Sequence, residues 1–116
     1  MPKNARVFLA EDDPNLIKLE KPYIEMDGHK VILEASSLRE ALEKVKLAKE
    51  ERVNIRVLDG SLSGSPTDGP QVAEALKKAV PGIKIISFSG SPVKWGDENP
   101  MKPSEVVNLG KIITKL

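Results

Sequence analysis

Short apolar runs suited to β-strands alternate with segments of helical periodicity along most of this 116-residue chain. The β-prone runs are residues 6–10, 31–33, 55–58 and 83–88. Between them, apolar residues recur every three or four positions, the spacing that places side chains on one face of a helix. This alternation predicts an α/β fold with a parallel sheet, and right-handed crossovers would place helices on both of its faces.

Capping residues mark where the first two predicted helices begin. Asp13 is suited to cap the first helix, and Pro14 suits its first position, where no N–H is needed. Ser37 and Glu40 have the spacing of a capping box for the second helix. The apolar residues that recur along the first helix, and that we expect on its buried face, are Leu16, Leu19, Tyr23 and Met26.

Proline and serine mark the beginnings of the later helices. A loop rich in serine and glycine is predicted over residues 60–69, and Pro70 is predicted to begin the third helix. The last helix is predicted to begin at a capping Ser104. Its apolar positions are Val106, Val107, Ile112 and Ile113.

Composition excludes several classes of function. The chain carries 18 basic and 17 acidic residues, a net charge of +1, so it lacks the basic excess of a broad nucleic-acid surface. It contains no cysteine, which excludes disulfides, zinc–thiolate sites and cysteine nucleophiles. No stretch approaches the roughly 20 apolar residues of a membrane helix. We therefore expect a cytoplasmic protein with neither nucleic acid nor membrane as partner.

Chemically reactive side chains follow the predicted strands. Glu11 and Asp12 come directly after the first strand, Asp59 after the third and Ser89 after the fourth. Lys102 precedes a proline where a fifth strand would end. Ligands of open parallel sheets bind beyond the carboxyl ends of the strands, so these side chains are expected to share one edge.

Acids, a hydroxyl and an ammonium group at one edge suit phosphoryl transfer. Clustered carboxylates repel one another unless a cation compensates, and Mg²⁺ accepts one or two of them while retaining waters. A carboxylate can act as the nucleophile. The transfer itself mainly needs positioning and neutralisation of the phosphoryl oxygens, which Mg²⁺, Ser89 and Lys102 can supply.

In this arrangement the chain resembles a response-regulator receiver domain over nearly its whole length. The motifs that carry the resemblance are residues 7–14 (VFLAEDDP), 57–59 (VLD), 68–69 (DG), 89–90 (SG) and 102–103 (KP). The resemblance implies a doubly wound, five-stranded parallel sheet of the flavodoxin-like receiver fold, with strand order 2-1-3-4-5. It also implies one receiver domain over residues 1–116, with no output domain.

The resemblance implies a role for each site residue. The ligands it implies for Mg²⁺ are Glu11, Asp12, Asp59 and the backbone carbonyl of Ser61. Asp59 would accept the phosphoryl group, Ser89 would be the switch hydroxyl and Lys102 its cationic partner. The donor would be a sensor histidine kinase or a phosphotransfer protein, and a conformational switch would signal to a partner protein. Such a domain is a phosphoacceptor and no enzyme beyond its own phosphorylation and dephosphorylation.

Among the departures from the family, two bear on how the domain would signal. The interval from Gly90 to Met101 is too short for both a typical helix of about 11 residues and a strand of about 5. We therefore predict that the family's fourth helix is absent or reduced to a turn. Asn99 occupies the position where the family usually has an aromatic residue, which affects how the switch hydroxyl is coupled to output.

Two other functions compete with this interpretation. A pseudo-receiver would be a protein-interaction module that works without phosphorylation, and the short 90–101 interval favours it. A phosphohydrolase with an aspartyl-phosphate would need an acid two residues after Asp59, where Ser61 stands. The single histidine, His29, is interpreted as a surface or packing residue. The single tryptophan, Trp95, is interpreted first as a packing residue, with cover for the gap left by the lost helix and an anchor for a partner as the alternatives.

Overall fold

A computed structural model describes residues 5–53, 55–58, 68–88, 95–101 and 106–116, with residues 55–58 described by their backbone. The strands are β1 (Arg6–Ala10), β2 (Lys30–Ala35), β3 (Ile55–Leu58) and β4 (Lys84–Ser87). The helices are α1 (Pro14–Glu25), α2 (Leu38–Glu50), α3 (Asp68–Ala79) and α4 (Leu109–Lys115), and a 3₁₀ turn (Val106–Asn108) leads into α4. Strand and helix alternate as the sequence predicted.

The four strands form one parallel sheet of order β2-β1-β3-β4. A parallel bridge between Ile86 and Glu98 continues the sheet beyond β4. The predicted order 2-1-3-4-5 is therefore confirmed, although among the described residues the fifth position holds a bridge and not a full strand. Within residues 95–101 the backbone forms bends and bridges and no helix, which agrees with the predicted loss of the family's fourth helix.

Helices cover both faces of the sheet, because successive side chains of a strand point to opposite sides. Phe8 and Ala10 belong to the core cluster on the side of α2 and α3, and half-buried Trp95 packs against it. Val7 and Leu9 belong to the opposite cluster, which α1 and α4 complete. The doubly wound fold and the packing role of Trp95 are confirmed.

The buried face of α1 differs from the predicted one. Leu19 and Met26 are exposed, at 41% and 71% of their surface, whereas Ile24 and the carboxylate-bearing Glu20 are buried. Ile17 and Tyr23 pack against the core from the same helix. The predicted face was wrong: the face that is buried is turned about the helix axis by about one residue. The apolar pattern misled because the buried face includes a glutamate. Val107, one of the apolar positions of the last predicted helix, is 49% exposed.

The beginning of α3 differs from the predicted one. Helix α3 begins at Asp68, two residues before the predicted Pro70, and both Asp68 and Gly69 are buried there. The loop predicted over residues 60–69 was therefore too long at its end. Residues 60–67 and the predicted cap Ser104 lie outside the described residues.

The predicted caps of α1 and α2 are confirmed. Asp13 Oδ1 accepts a hydrogen bond from the Asn15 N–H at 2.9 Å, and Pro14 is the first residue of α1. Ser37 Oγ accepts from the Glu40 N–H at 3.1 Å. The return bond differs from a regular capping box, since Glu40 Oε1 accepts from the N–H of Ser36 at 2.6 Å. Of the helices described, none is long and apolar enough to cross a membrane.

Candidate functional site

Glu11 is the first residue after β1, and its side chain is buried. Its N–H donates to the Ala35 carbonyl at 2.9 Å, which extends the contact between β1 and β2 by one residue. The side chain is only 1% exposed, and its Oε2 accepts from the Asp13 N–H at 3.3 Å. A buried carboxylate needs hydrogen bonds, a cationic group or a metal ion, because desolvation penalises its charge. Burial thus sets Glu11 apart from a surface acid.

Asp12 and Asp13 have different environments and different tasks. Asp13 caps α1 through Oδ1, so the structure accounts for this acid without a metal. Asp12 is exposed at the edge of the sheet beside buried Glu11. Carboxylate oxygens of this kind are what Mg²⁺ prefers, and one exposed acid beside one buried acid leaves room for the waters that it retains. The donor set on this side of the site therefore fits the metal.

The strand register aligns the residues that precede the other predicted site groups. Ala10 pairs with Leu58, and Leu58 pairs with Ser87. Glu11 therefore follows the end of β1 at the level at which β3 ends. The ends of β1, β3 and β4 lie side by side, as the prediction of a shared edge requires.

Several predicted site residues fall outside the part of the chain that the structure describes. They are Asp59, Ser61, Ser89 and Lys102. The roles predicted for them remain predictions. Within the described residues, no group of three or more His, Asp or Glu side chains is arranged to hold a metal ion. The predicted metal ligands Glu11, Asp12 and Asp59 therefore stay a prediction as a set.

The segment from Trp95 to Asn99 lies along the outer edge of β4. The Asp97 N–H donates to the Ile85 carbonyl at 2.7 Å, and the Ser87 N–H donates to the Glu98 carbonyl at 3.0 Å. Asp97 Oδ2 also accepts from the Ile85 N–H at 2.7 Å. Sequence reasoning assigned no such role to Asp97, and its only signal was an acid between glycine and proline.

His29 is a buried structural residue. It is 1% exposed, and its Nδ1 accepts from the Ala5 N–H at 3.0 Å. Because Nδ1 faces a donor, the proton lies on Nε2, which is 3.1 Å from the Gly110 carbonyl and 2.9 Å from Thr114 Oγ1. Both ring nitrogens are thus engaged within the protein, which confirms the interpretation of His29 as a packing residue.

The comparisons with known proteins agree with this geometry. The family model described as "Response regulator receiver domain" matches residues 7–95, which is well over half of the chain. The transcriptional regulatory protein YvrH of Bacillus subtilis (strain 168) is 31% identical over 62 residues, covering 53% of this chain. The match spans 26% of that relative's length.

Solved structures of low sequence identity share the fold. A CheY-like receiver domain protein from Methanospirillum hungatei JF-1 superposes with a TM-score of 0.76 at 23% identity, covering 97% of this chain and 92% of that one. The receiver domain of the putative regulator NarL from Mycobacterium tuberculosis gives 0.78 at 22%, with 98% and 96% covered. PhyR from Brucella abortus gives 0.80 at 21%, with 97% and 47% covered. The family match, the parallel sheet and the acids after β1 together place this chain in the response regulator receiver domain family of two-component systems.

Proposed function

We propose that this receiver domain accepts a phosphoryl group on Asp59 in a Mg²⁺-dependent reaction and signals by a change of conformation. The observation that carries the proposal is the pair formed by buried Glu11 and exposed Asp12 after β1, in register with the strand that leads to Asp59. The donor would be a phosphohistidine of a sensor kinase or phosphotransfer protein. The domain would pass the signal on to a partner protein.

In the proposed reaction a carboxylate oxygen of Asp59 attacks the phosphorus atom. The bond from phosphorus to the donor's histidine nitrogen breaks, and the nitrogen keeps the electron pair. Glu11, Asp12, Asp59 and the Ser61 carbonyl would hold Mg²⁺, which when bound neutralises charge on the phosphoryl oxygens. The Ser89 hydroxyl would donate a hydrogen bond to the phosphoryl group, and the Lys102 ammonium would pair with it. The contacts of Ser89 and Lys102 with the phosphoryl group would favour one of two pre-existing conformations of the domain.

The reaction is tested by incubating the protein with Mg²⁺ and acetyl phosphate, an acyl phosphate that stands in for the kinase. Intact mass spectrometry should show a gain of one phosphoryl group in the wild type. Asp59→Asn should abolish the gain, and omission of Mg²⁺ should do the same. Asp13→Asn is the matched control, because asparagine caps a helix as well as aspartate does and Asp13 has no proposed metal role. Equal modification of wild type and Asp59→Asn would refute the proposal.

The pseudo-receiver alternative is separated by metal binding alone. A phosphoacceptor site should bind Mg²⁺ and lose affinity in Asp12→Asn and in Asp59→Asn, as isothermal titration calorimetry can measure. A module that works without phosphorylation needs no such site. Failure of the wild type to bind Mg²⁺ at all would favour the alternative.

A further inference from the structure

The segment of residues 95–99, called the clip here, is joined to the edge of β4 by side chains as well as by backbone. Ser87 Oγ donates to Asn99 Oδ1 at 2.7 Å. The same oxygen accepts from the Gly96 N–H at 2.9 Å, and Asn99 Nδ2 donates to the Gly96 carbonyl at 3.2 Å. One amide side chain therefore closes the turn of the clip and ties it to β4.

Close approach at Gly96 shows how tightly the clip lies against the strand. A Cβ atom added at Gly96 would lie 2.8 Å from the Ser87 nitrogen and 2.8 Å from the Glu98 carbonyl oxygen. Both are backbone atoms, which cannot rotate away as a side chain can. The position of the clip relative to β4 is therefore narrowly determined by Gly96 and Asn99.

The two residues joined by this hydrogen bond lead into the two predicted switch groups. Ser87 lies two residues before Ser89, and Asn99 lies three residues before Lys102. A chain extends at most about 3.5 Å per residue, so the backbone reach from Ser87 to the Cα atom of Ser89 is at most about 7 Å, and that from Asn99 to the Cα atom of Lys102 at most about 10.5 Å. Ser87 itself is completely buried, which fixes one end of the connection.

We infer that Asn99 is a positioning residue for phosphoryl transfer. Through Ser87 Oγ it holds the segments that lead to Ser89 and Lys102 at a fixed spacing, so that hydroxyl and ammonium meet the same phosphoryl group. The inference rests on the proposed phosphorylation of Asp59. Asn99 stands where this family usually has an aromatic residue, and its side-chain amide would act through the hydrogen bond with Ser87.

The test compares the rate of phosphorylation by acetyl phosphate with the affinity for Mg²⁺. Asn99→Ala should lower the rate constant roughly ten- to hundredfold, because a misplacement of about 1 Å can cost that much. The Mg²⁺ dissociation constant should stay unchanged, because Asn99 is not one of the proposed metal ligands. Asn99→Asp keeps both acceptor bonds of Oδ1 but loses the bond that Nδ2 donates to the Gly96 carbonyl, so it should restore part of the rate.

Ser87→Ala and the double variant with Asn99→Ala show whether the two residues act as a pair. If the hydrogen bond carries the effect, the double variant should be no slower than the slower single variant. Asp97→Ala is the matched control, because it removes a clip hydrogen bond of the same length, to Ile85, farther from Lys102. It should lower the midpoint of urea unfolding and leave the phosphorylation rate close to that of the wild type.

Three results would overturn the inference. The first is a wild-type rate in Asn99→Ala; the second is an equal loss of rate in Asp97→Ala, which would indicate general loosening of the clip. The third is an additive double variant. If Asn99→Ala does not fold, Ser87→Ala and Asn99→Asp still decide the matter. A wild type that accepts no phosphoryl group would refute the proposed function itself, whereas a phosphorylated wild type with insensitive variants would refute only the role of Asn99.

Discussion

Buried polar side chains in this domain are held by defined hydrogen bonds, some of them between elements that are far apart in the sequence. His29 joins the residue before β1 to helix α4 through both of its ring nitrogens. Glu11 lies at the end of β1 with its carboxylate buried and bonded to the Asp13 N–H. Removal of either hydrogen-bond partner would leave a buried polar atom unsatisfied, which lowers the free energy of unfolding.

We predict that His29→Ala lowers the free energy of unfolding by roughly 2–4 kcal/mol, from a cavity and the lost partner of the buried Ala5 N–H. His29→Asn should lose less, since its side-chain oxygen can replace Nδ1 as the acceptor. Urea unfolding followed by circular dichroism measures both variants. A loss below about 0.5 kcal/mol in His29→Ala, the range of ordinary surface substitutions, would contradict the structural role.

Lys21 gives a prediction about alkaline pH. Its hydrogen bond with Glu34, at 2.9 Å, is the main cause that raises the pKa of Lys21 above the ordinary 10.5, and the charge of Glu34 adds to it. A raised pKa means that the stabilisation is complete below about pH 10.5 and is lost as the pH rises through the raised value. The two side chains are 40% and 38% exposed. The pair is therefore worth less than about 1 kcal/mol.

The measurement is the difference in unfolding free energy between wild type and Lys21→Met, followed from about pH 8 to about pH 12. The difference should shrink above the ordinary pKa of lysine. Subtraction removes the contributions of the other lysines and of the tyrosine, which titrate in the same range. A difference that is constant across this range would show that the pair contributes nothing.

At the scale of elements, glycine allows helices α1 and α4 to approach closely. A Cβ atom on Gly110 would lie 2.5 Å from Asp27 Oδ2 and 2.6 Å from the Tyr23 carbonyl oxygen. The aspartate could rotate away, but the backbone carbonyl of α1 could not. The contact therefore requires a residue without a side chain in α4.

Gly110→Ala should destabilise the domain by about 1–3 kcal/mol through overpacking. The gain in helix propensity, up to about 1 kcal/mol, opposes this loss but does not remove the clash. Lys111→Ala, at the adjacent exposed position of α4, is the control and should be nearly neutral. Thermal unfolding compares the two, and equal stability of Gly110→Ala and wild type would show that α1 shifts freely.

The edge of β4 is the other element-scale feature. Where the family usually places a helix and a full strand, residues 95–99 bond to β4 through a bridge, Asp97 and Asn99. These contacts satisfy backbone groups of β4 that an uncovered edge would leave exposed. Covering of the edge by so short a segment explains how the sheet tolerates the shortened 90–101 interval.

For the whole molecule, the proposed metal site links function to stability. Because Mg²⁺ would bind the folded chain and not the unfolded one, the midpoint of thermal unfolding should rise with its concentration. The gain is about 2.7 kcal/mol at 100 times the dissociation constant. Glu11→Gln and Asp59→Asn should each weaken the response, whereas Asp13→Asn should retain it. If the unfolding midpoint of the wild type does not change with the Mg²⁺ concentration, the proposed metal site is contradicted.

Much of the fold followed from local sequence. The bounds of β1 and β3 and the caps Asp13 and Ser37 agree with the sequence predictions, because strand propensity and capping depend on neighbours only a few residues away. The family motifs after the strands were also legible, since parallel strands bring their carboxyl ends to one edge.

Other features were decided only by tertiary packing. Which face of α1 is buried depends on α4 and the sheet, so Glu20 lies inside while Leu19 lies outside, against the local pattern. His29 is hydrogen-bonded to Thr114, 85 positions away in the sequence, and Asn99 is hydrogen-bonded to Ser87, 12 positions away. Periodicity records which residues share a helix face, but it carries no information about which distant element will meet that face. The sequence by itself therefore determined the elements and the family, whereas the packing determined which polar groups are buried and with which partners.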